Sequence, residues 1–342
     1  MGFFDFLIEE IAIDLGTANT LIIHKDKVVV DSLSIVVCDL SFNKIIAVGR
    51  EAQLMQGKTY ERIKTIRPLK DGVIADFDAS EQMINAFIRS IPPLKRRFFS
   101  PSLKIVVCIP SGITEVEMRA VKESCERVNG KEIFLIYEPM AAAIGIGLDI
   151  MQAKGNMIID IGGGTSEIAV IALGDIVCDK SVKIAGDVFT NDIIYYMRTR
   201  HNLYIGENTA DNIKITTGAA LEDLESPPDP MAVQGRDLLS GKPKQVEISH
   251  REIVKALDKS ILRIEDAIME TLSQTPPELV ADIYNTGIYM AGGGTMLRGL
   301  DKRISMRTDL PVYVAEDPLR AVVRGTGIAL KNIHKFKTIL KK

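Results

Sequence analysis

Short runs of apolar and β-branched residues recur along the chain and predict β-strands. Examples of such runs are Glu10–Asp14, Leu21–His24, Lys27–Val30, Lys104–Ile109, Met157–Asp160, Glu167–Leu173 and Val312–Val314. Longer stretches have apolar residues at helical spacing and predict helices over Ser80–Ser90, Thr114–Val128 and Arg251–Leu272. Because strands and helices interleave throughout, the predicted fold class is α/β. The polar, proline-rich stretch Glu222–Gly241 is predicted to be a surface loop.

A weak internal repeat links the two halves of the chain. DLGTANT (Asp14–Thr20) follows one apolar run and leads into another, and DIGGGTSEIAVI (Asp160–Ile171) does the same. Both motifs consist of a strand, Asp-x-Gly, a turn of small residues and a second strand. They are separated by almost half of the chain. This repeat predicts two structurally related halves with a cleft between them.

The size and composition of the chain limit the functions to consider. At 342 residues the chain is too long for one ordinary core, and two domains are expected. Its 46% hydrophobic and 25% charged residues are typical of a globular protein. A net charge of −3 gives no indication of a nucleic-acid binder, so no nucleic-acid partner is expected.

The cysteines and the apolar segments predict a cytoplasmic protein. Cys38, Cys108, Cys125 and Cys178 are far apart in sequence, and we expect them to be small core residues in a reducing compartment. No segment has the length of apolar sequence needed to span a bilayer. The N-terminal residues do not have the pattern of a secretory signal.

The two Asp-x-Gly motifs have the chemistry of phosphate binding. Glycines let the backbone turn tightly and approach a ligand closely, and successive N–H groups in such turns form concave anion sites. Carboxylates repel phosphate, so Asp14 and Asp160 are expected to hold Mg²⁺ through its waters. Two facing turns and two carboxylates therefore predict a clamp around the phosphates of a Mg-nucleotide. A third cluster, MAGGGTMLRGL (Met290–Leu300), precedes a predicted helix and is expected to contact the adenosine.

The order of these motifs resembles that of the actin, Hsp70 and sugar-kinase superfamily. The order is DLGTANT, EPMAAAIG (Glu138–Gly145), DIGGGTSE and AGGGTMLRGL. Four further segments resemble the MreB family of bacterial actins in particular: LKDGVIADFDASEQMI, CIPSGITEVEMRAVKES, IGENTADNIK and RAVVRGTGIAL. The similarity extends from about Ile11 to Leu330. It implies a cytoskeletal ATPase that binds ATP and Mg²⁺ and forms filaments.

The resemblance also assigns roles to individual residues. Glu138 matches the residue that positions the attacking water, and Thr165 matches a threonine that helps to hold it. Asp14 and Asp160 match the carboxylates that lie beside the Mg²⁺ ion in the family. The resemblance also places Asp160 among the catalytic residues. The expected nucleotide contacts are Gly16, Thr17, Ala18 and Asn19; Gly162, Gly163 and Gly164; Asp211, Asn212, Ile213 and Lys214; and Gly292, Gly293, Gly294, Thr295 and Met296. Relatives more often have Ala and Leu at the positions of Thr295 and Met296, next to the expected adenosine. A preference of the site for ATP over GTP is therefore an expectation from the resemblance.

The resemblance implies an actin-like fold of two ribonuclease-H-like domains around the cleft. Domain I is expected over 1–144 and 316–342, with an outer subdomain over about 33–66. Domain II is expected over 145–315, with an outer subdomain over about 181–245.

Two segments have the composition of lipid contacts. MGFFDFLI at the N-terminus places Phe3, Phe4 and Leu7 on one helical face, and LKRRFFS (Leu94–Ser100) joins basic residues to Phe98 and Phe99. We therefore expect filaments of this protein at the inner face of the cytoplasmic membrane. The family resemblance adds membrane proteins of cell elongation and cell-wall synthesis as partners.

Three other functions remain as alternatives at this point. A small-molecule kinase of the superfamily needs a base beside a substrate pocket. An Hsp70-type chaperone needs a substrate-binding domain, for which we expect no room before Lys342. An FtsA-like membrane adaptor carries a differently placed subdomain, and the spacing between Leu69 and Cys108 resembles that of MreB instead.

Overall fold

A computed structural model of the chain describes residues 8–42, 44–92 and 101–342. The residues predicted to contact lipid, Phe3, Phe4, Leu7, Phe98 and Phe99, lie outside these ranges. Within them, no helix combines the length and the apolar character needed to cross a bilayer.

Eighteen strands are found in the part of the chain that the structure describes. Their bounds are β1 Ile8–Leu15, β2 Asn19–His24, β3 Lys27–Leu33, β4 Val36–Asp39, β5 Lys44–Val48, β6 Ile63–Ile66, β7 Leu69–Lys70, β8 Val73–Ile74, β9 Ser102–Ile109, β10 Gly130–Tyr137, β11 Asn156–Ile161, β12 Ser166–Ala172, β13 Asp175–Val182, β14 Leu203–Tyr204, β15 Met231–Asp237, β16 Pro243–Ile248, β17 Ile288–Ala291 and β18 Val312–Val314. Each of the seven predicted strands is present, with ends that differ by a few residues at most.

Ten α-helices accompany these strands in the described ranges. Their bounds are α1 Arg50–Met55, α2 Phe77–Ser90, α3 Glu115–Arg127, α4 Glu138–Ile146, α5 Gly186–Arg200, α6 Glu207–Thr217, α7 His250–Gln274, α8 Pro277–Thr286, α9 Leu300–Thr308 and α10 Ala321–Lys331. The three predicted helices correspond to α2, α3 and α7. The same ranges contain two short 3₁₀-helices, Gly293–Met296 and Pro318–Arg320.

Side-chain caps explain where two of the predicted helices begin. Asp76 accepts a hydrogen bond from the backbone N–H of Ala79 and so starts α2 before the predicted residue. Thr114 and Glu117 form a capping box at the start of α3, where each side chain satisfies a backbone N–H of the other residue.

Two five-stranded sheets share one topology. The first has the order β10-β9-β1-β2-β3, and the second, written in the matching direction, has the order β18-β17-β11-β12-β13. In each sheet a meander of three antiparallel strands is followed by two parallel strands on the same side. The internal repeat predicted from DLGTANT and DIGGGTSE is thus confirmed, because both motifs lie at the first turn of their meander. We call residues 8–137 the first lobe and residues 156–314 the second lobe.

Each lobe also carries a small three-stranded sheet. The first has the order β5-β4-β6 and the second the order β14-β15-β16. Strand β15 corrects one prediction, because Met231–Asp237 pairs with β16 although Glu222–Gly241 was predicted to be a loop. The domain and subdomain boundaries stay predictions.

The described residues form three large apolar cores and a smaller fourth one, which packs α1 on the small sheet β5-β4-β6 through residues such as Val37 and Ala52. One large core lies within each lobe, and the third lies between the two large sheets, where α4 and α10 pack on strands from both. Strand β1 contributes to two of them, because Ile11 and Ile13 point into the first-lobe core while Ala12 points into the middle core. Buried on both faces, β1 places its carboxyl end at a fixed position between the lobes.

Helices α4 and α10 cross in backbone contact. A Cβ atom at Gly145 would lie 1.9 Å from the carbonyl oxygen of Ala321, and one at Gly325 would lie 1.8 Å from that of Ala141. Only glycine fits either position. The first turn of α4 carries Glu138, so this crossing fixes a predicted catalytic residue relative to both sheets.

Candidate active site

The first predicted phosphate turn connects β1 to β2. The N–H of Gly16 donates to the carbonyl of Asn19 over 3.1 Å, and a Cβ atom at Gly16 would lie 2.7 Å from that same oxygen. Glycine is therefore required for the tight turn. The buried Thr17 hydroxyl accepts a hydrogen bond of 2.9 Å from the N–H of Gly72, in the turn between β7 and β8.

The second predicted phosphate turn connects β11 to β12. Its first glycine, Gly162, donates its N–H to the carbonyl of Thr165 over 2.9 Å. The carbonyl oxygens of Gly162 and Gly163 accept hydrogen bonds from Gly186 and Asp187, the first two residues of α5. The helix therefore uses N–H groups of its first turn to hold the turn in place.

The two turns meet directly. A Cβ atom at Gly163 would lie 2.5 Å from the Cβ of Ala18, and one at Gly164 would lie 2.6 Å from the Thr17 hydroxyl and 3.0 Å from the Cα of Asp71. A side chain at either glycine would push the turns apart. The structure thus brings together the residues that the sequence assigned to two facing turns.

Four acidic residues gather behind the turns. Asp14 is the second-last residue of β1, Asp160 and Glu167 face each other across β11 and β12, and Glu138 begins α4. Burial raises the pKa of Asp14 to about 6, although a hydrogen bond from the Cys108 thiol opposes the rise. The pKa of Asp160 rises to about 8, first through burial and then through the charges of Asp14 and Glu167.

Glu138 directly follows the last residue of β10 and begins α4. Its pKa is raised well above the ordinary value, mainly by burial and then by the charges of Glu167, Asp160 and Asp14. Four carboxyl groups in one buried place disfavour ionisation of each other.

The Mg²⁺ predicted from the sequence can be tested against this donor set. Asp160 is 5% exposed, and its Oδ1 atom has no hydrogen-bond partner among the described residues. In the same ranges no cluster of three or more His, Cys, Asp or Glu side chains has the arrangement of a metal-ligand set. One or two carboxylate oxygens with water and phosphate are the usual Mg²⁺ environment in nucleotide sites. The donors around Asp14 and Asp160 fit a metal held in that way.

Thr165 is buried beside the first lobe. A Cβ atom at Gly72 would lie 3.1 Å from Cγ2 of Thr165 and 2.9 Å from Cγ of Pro110. Gly72 has a φ of 81°, which favours glycine, so the tight contact and the backbone conformation both require this residue. Sequence reasoning did not single out Asp71 or Gly72 as part of the site.

The predicted nucleoside helix is α6. Ile213 is fully buried in the second-lobe core, where it anchors the helix. Lys214 donates to Asp211, to the carbonyl of Gly186 over 3.0 Å and to the hydroxyl of Thr190 over 2.9 Å. Its ammonium group therefore ties α6 to the start of α5. Asn212 is exposed.

The predicted adenosine loop follows β17, next to the end of β11. A Cβ atom at Gly292 would lie 2.3 Å from Oδ1 of Asp160, and one at Gly294 would lie 2.3 Å from Cγ2 of Ile161. The residues Gly293–Met296 form a 3₁₀-helix before α9 begins. Within it Thr295 is buried and Met296 is exposed. The loop thus packs against the second phosphate turn, at the carboxyl ends of neighbouring parallel strands.

Polar contacts also join the outer parts of the two lobes. Gln56 donates to a carboxylate oxygen of Glu207 over 2.7 Å. Arg67 lies 3.7 Å from that same oxygen and 3.7 Å from a carboxylate oxygen of Asp187. These contacts lie on the α5 and α6 side of the turns, at a place that the sequence gave no reason to select.

Comparison with known proteins identifies the family. The family model described as MreB/Mbl protein matches residues 8–338, which include every described residue of this site. The chain belongs to the MreB/Mbl family. It is 44% identical over 328 residues to the cell shape-determining protein Mbl of Bacillus subtilis (strain 168), covering 96% of this chain and 97% of the relative.

Two MreB proteins also resemble the chain over almost their whole length. The cell shape-determining protein MreB of Escherichia coli (strain K12) is 44% identical over 329 residues, which are 95% of this chain and 94% of the relative. The crystal structure of MreB 5 of Spiroplasma citri bound to AMPPNP superposes with a TM-score of 0.89. That protein is 36% identical, and the match covers 96% of this chain and 98% of the other. The actin-like fold predicted from the motif order is confirmed.

Proposed function

We propose that this chain binds Mg-ATP between its two phosphate turns and hydrolyses it. The observation that carries the proposal is the direct contact of the turns at Ala18 and Gly163, with Asp14, Asp160 and Glu138 gathered behind them. The Spiroplasma citri relative, which is bound to AMPPNP, supports a nucleotide as the ligand. A preference for ATP over GTP is also part of the proposal.

The proposed metal role belongs to Asp14 and Asp160. Burial raises the pKa values of both carboxyl groups, and a dication beside them would favour the ionised forms. Mg²⁺ at this place would neutralise charge on the phosphates during the reaction.

The proposed catalytic role belongs to Glu138 and Thr165. Glu138 stands at the first turn of α4, held by the glycine crossing with α10, and its carboxylate would accept a hydrogen bond from the attacking water. Thr165, at the end of the second turn, would present its hydroxyl to the same water. Phosphoryl transfer needs mainly a positioned nucleophile and charge stabilisation, and these two residues with the turns would supply both.

The proposed nucleoside site lies in the second lobe. Lys214 of α6 donates to the carbonyl of Gly186, whose own N–H holds the second phosphate turn. Gly292, just before the 3₁₀-helix Gly293–Met296, lies against the end of β11, which leads into the same turn. We assign the predicted contacts of Asp211–Lys214 and of Gly292–Met296 to the nucleoside on this basis. Ile213 would act through the position of the helix, because its own side chain is in the core.

We further propose that the nucleotide-bound protein forms filaments with a role in cell shape. The relatives named as cell shape-determining proteins support this role. The small sheet of the first lobe and its surroundings expose Phe42, Leu54 and Tyr60 by 80%, 66% and 69%. Exposed large apolar side chains of this kind are typical of a protein contact surface, here with a second copy of this chain.

A location at the inner face of the cytoplasmic membrane completes the proposal. It rests on the composition of the segments with Phe3, Phe4, Leu7, Phe98 and Phe99 and on the family resemblance. Membrane proteins of cell elongation and cell-wall synthesis are proposed partners on the same grounds.

Electron microscopy of purified protein with Mg-ATP and anionic vesicles tests the proposal. We expect filaments that lie on the vesicles, and we expect them to be absent without nucleotide. A variant with Phe3, Phe4, Phe98 and Phe99 changed to Ser should form filaments that no longer co-sediment with the vesicles. Monomers alone at concentrations well above micromolar would contradict filament formation.

A further inference from the structure

Glu167, one of the four buried acidic residues, accepts three hydrogen bonds and has no part in the proposed reaction so far. It is 0% exposed, in β12. Its Oε2 atom accepts from the backbone N–H of Ser111 over 3.1 Å and from the Ser111 hydroxyl over 2.7 Å. Its Oε1 atom accepts from the hydroxyl of Ser181 over 2.6 Å.

Two of these hydrogen bonds join the lobes. Ser111 lies just after β9, at the carboxyl end of the first large sheet, whereas Glu167 and Ser181 are opposite each other in the second. A Cβ atom at Gly112 would lie 3.0 Å from the Cβ of Ser181, so the loop after β9 packs tightly on β13. Separation of the lobes would break the bonds to Ser111 and leave the bond to Ser181 intact.

This contact lies next to Thr165. Thr165 directly precedes β12 and its side chain approaches Gly72 of the first lobe, while Glu167 within β12 reaches Ser111 of the same lobe. Pro110, which precedes Ser111, and Thr165 both approach Gly72, as the distances from a Cβ atom at that glycine show. Docking of Ser111 on Glu167 therefore also sets the distance between Thr165 and the first lobe.

We propose that Ser111 and Glu167 form a clasp between the lobes that positions Thr165 for hydrolysis and retains the nucleotide. Glu167 is thus a positioning residue for the proposed ATPase, and the inference rests on that proposed function. Closure of a site around its substrate excludes water and completes the catalytic arrangement, and loss of a closing contact affects both reaction and release.

Two variants, each of which removes one serine hydroxyl that donates to Glu167, distinguish a clasp between the lobes from a structural role within one lobe. Ser111→Ala removes a hydroxyl that reaches Glu167 from the other lobe. Ser181→Ala removes a hydroxyl that reaches the same carboxylate within one lobe, and it is the matched control. We expect Ser111→Ala to slow single-turnover ATP hydrolysis about tenfold or more and to speed ADP dissociation, while Ser181→Ala changes both much less. Ser111→Thr, which keeps the hydroxyl, should restore both rates.

The outcomes that overturn the clasp are distinct from those that overturn the ATPase. Equal losses in Ser111→Ala and Ser181→Ala would show that Glu167 has only a structural role, and wild-type rates in Ser111→Ala would remove the clasp altogether. If the wild-type protein binds ADP but does not hydrolyse ATP, the proposed ATPase activity is wrong. The rates of ADP dissociation from Ser111→Ala and Ser181→Ala then test the clasp by themselves.

A distance measurement tests the clasp without any nucleotide chemistry. Spin labels at Tyr60→Cys and Tyr195→Cys, in a Cys178→Ser background, place one exposed probe on each lobe. We expect Ser111→Ala to shift the distribution of label distances to larger values or to broaden it. An unchanged distribution would contradict the clasp.

Discussion

The Sγ atom of Cys108 lies 3.1 Å from Oδ1 of Asp14, and the thiol donates a hydrogen bond to this carboxylate. The contact joins the ends of β9 and β1, which are parallel neighbours in the first large sheet. The pKa of the thiol is raised well above its ordinary value, first by burial and then by the charges of Asp14 and Glu138, so the thiol stays protonated and able to donate. Cys108 thereby fixes the orientation of the Asp14 carboxylate, which we propose to hold Mg²⁺.

Loss of this hydrogen bond should weaken Mg-nucleotide binding. We expect Cys108→Ala to raise the dissociation constant about threefold to tenfold, because a hydrogen bond of this kind contributes about 1 kcal/mol. Cys108→Ser keeps a donor at the same position and is the control. Titration with a fluorescent ATP analogue in the presence of Mg²⁺ measures both, and equal affinities for Cys108→Ala and wild type would show that the contact has no part in binding.

The stability of the metal-free protein should fall as the pH rises. Asp160 has an ordinary pKa of 3.8 and a pKa of about 8 in the folded protein, so between these values the folded state binds a proton that the unfolded chain has lost. The free energy of unfolding therefore decreases with pH across this window. In Asp160→Asn this contribution is absent, and the stability difference in favour of the variant should grow from pH 5 to pH 8. Denaturant unfolding at several pH values measures it, and parallel pH profiles would contradict the assignment.

The crossing of α4 and α10 should not accept an added methyl group. Gly325→Ala would place its Cβ 1.8 Å from the carbonyl oxygen of Ala141, and we expect a loss of stability of about 1–3 kcal/mol or more. Gly327→Ala, two residues away on the same helix, meets only the flexible end of Ile23, and the better helix propensity of alanine should leave it neutral or stabilised. Thermal unfolding compares the two variants. If Gly325→Ala is as stable as Gly327→Ala, the helices are not in backbone contact.

The contacts of Arg67 with Asp187 and Glu207 should slow nucleotide release slightly. Their charged groups are 3.7 Å apart and partly exposed, so the pairs contribute at most about 1 kcal/mol. We expect Arg67→Ala to speed ADP dissociation by a factor of about two to five, with a smaller effect at high salt. Arg127→Ala removes an exposed pair with Glu81 inside the first lobe and should leave the rate unchanged. A salt-independent or absent effect of Arg67→Ala would argue against an electrostatic contact between the lobes.

Local sequence patterns were sufficient for most of the fold. The meanders that contain Asp14 and Asp160 were predictable, because glycine turns between apolar runs specify hairpins without help from distant residues. Strand β15 was missed because prolines and polar residues surround Met231–Asp237, and only Val233 of that strand is fully buried. Its pairing depends on β14 and β16 more than on its own residues.

The residues of the candidate site that belong to the family motifs were predictable from the sequence. The two turns, Glu138 and Thr165 were found from the order of the motifs, and the structure places them together. Cys108, Ser111 and Glu167 were not found, although all three lie in or beside quoted motifs. Their importance comes from partners in other strands or the other lobe, such as the hydroxyl of Ser111 that reaches a residue 56 positions away. Contacts of this kind depend on how the lobes dock, which no local pattern specifies.

Phosphate release with Mg-ATP, compared between the wild-type protein and Glu138→Gln, tests the central claim most directly. The variant keeps the size of the side chain but loses the carboxylate. It should therefore bind ATP with an affinity near that of wild type and hydrolyse it at a rate lower by a factor of about one hundred or more. Wild-type protein that releases no phosphate under any condition in which it binds ATP, or a Glu138→Gln variant that hydrolyses ATP at the wild-type rate, would contradict the account.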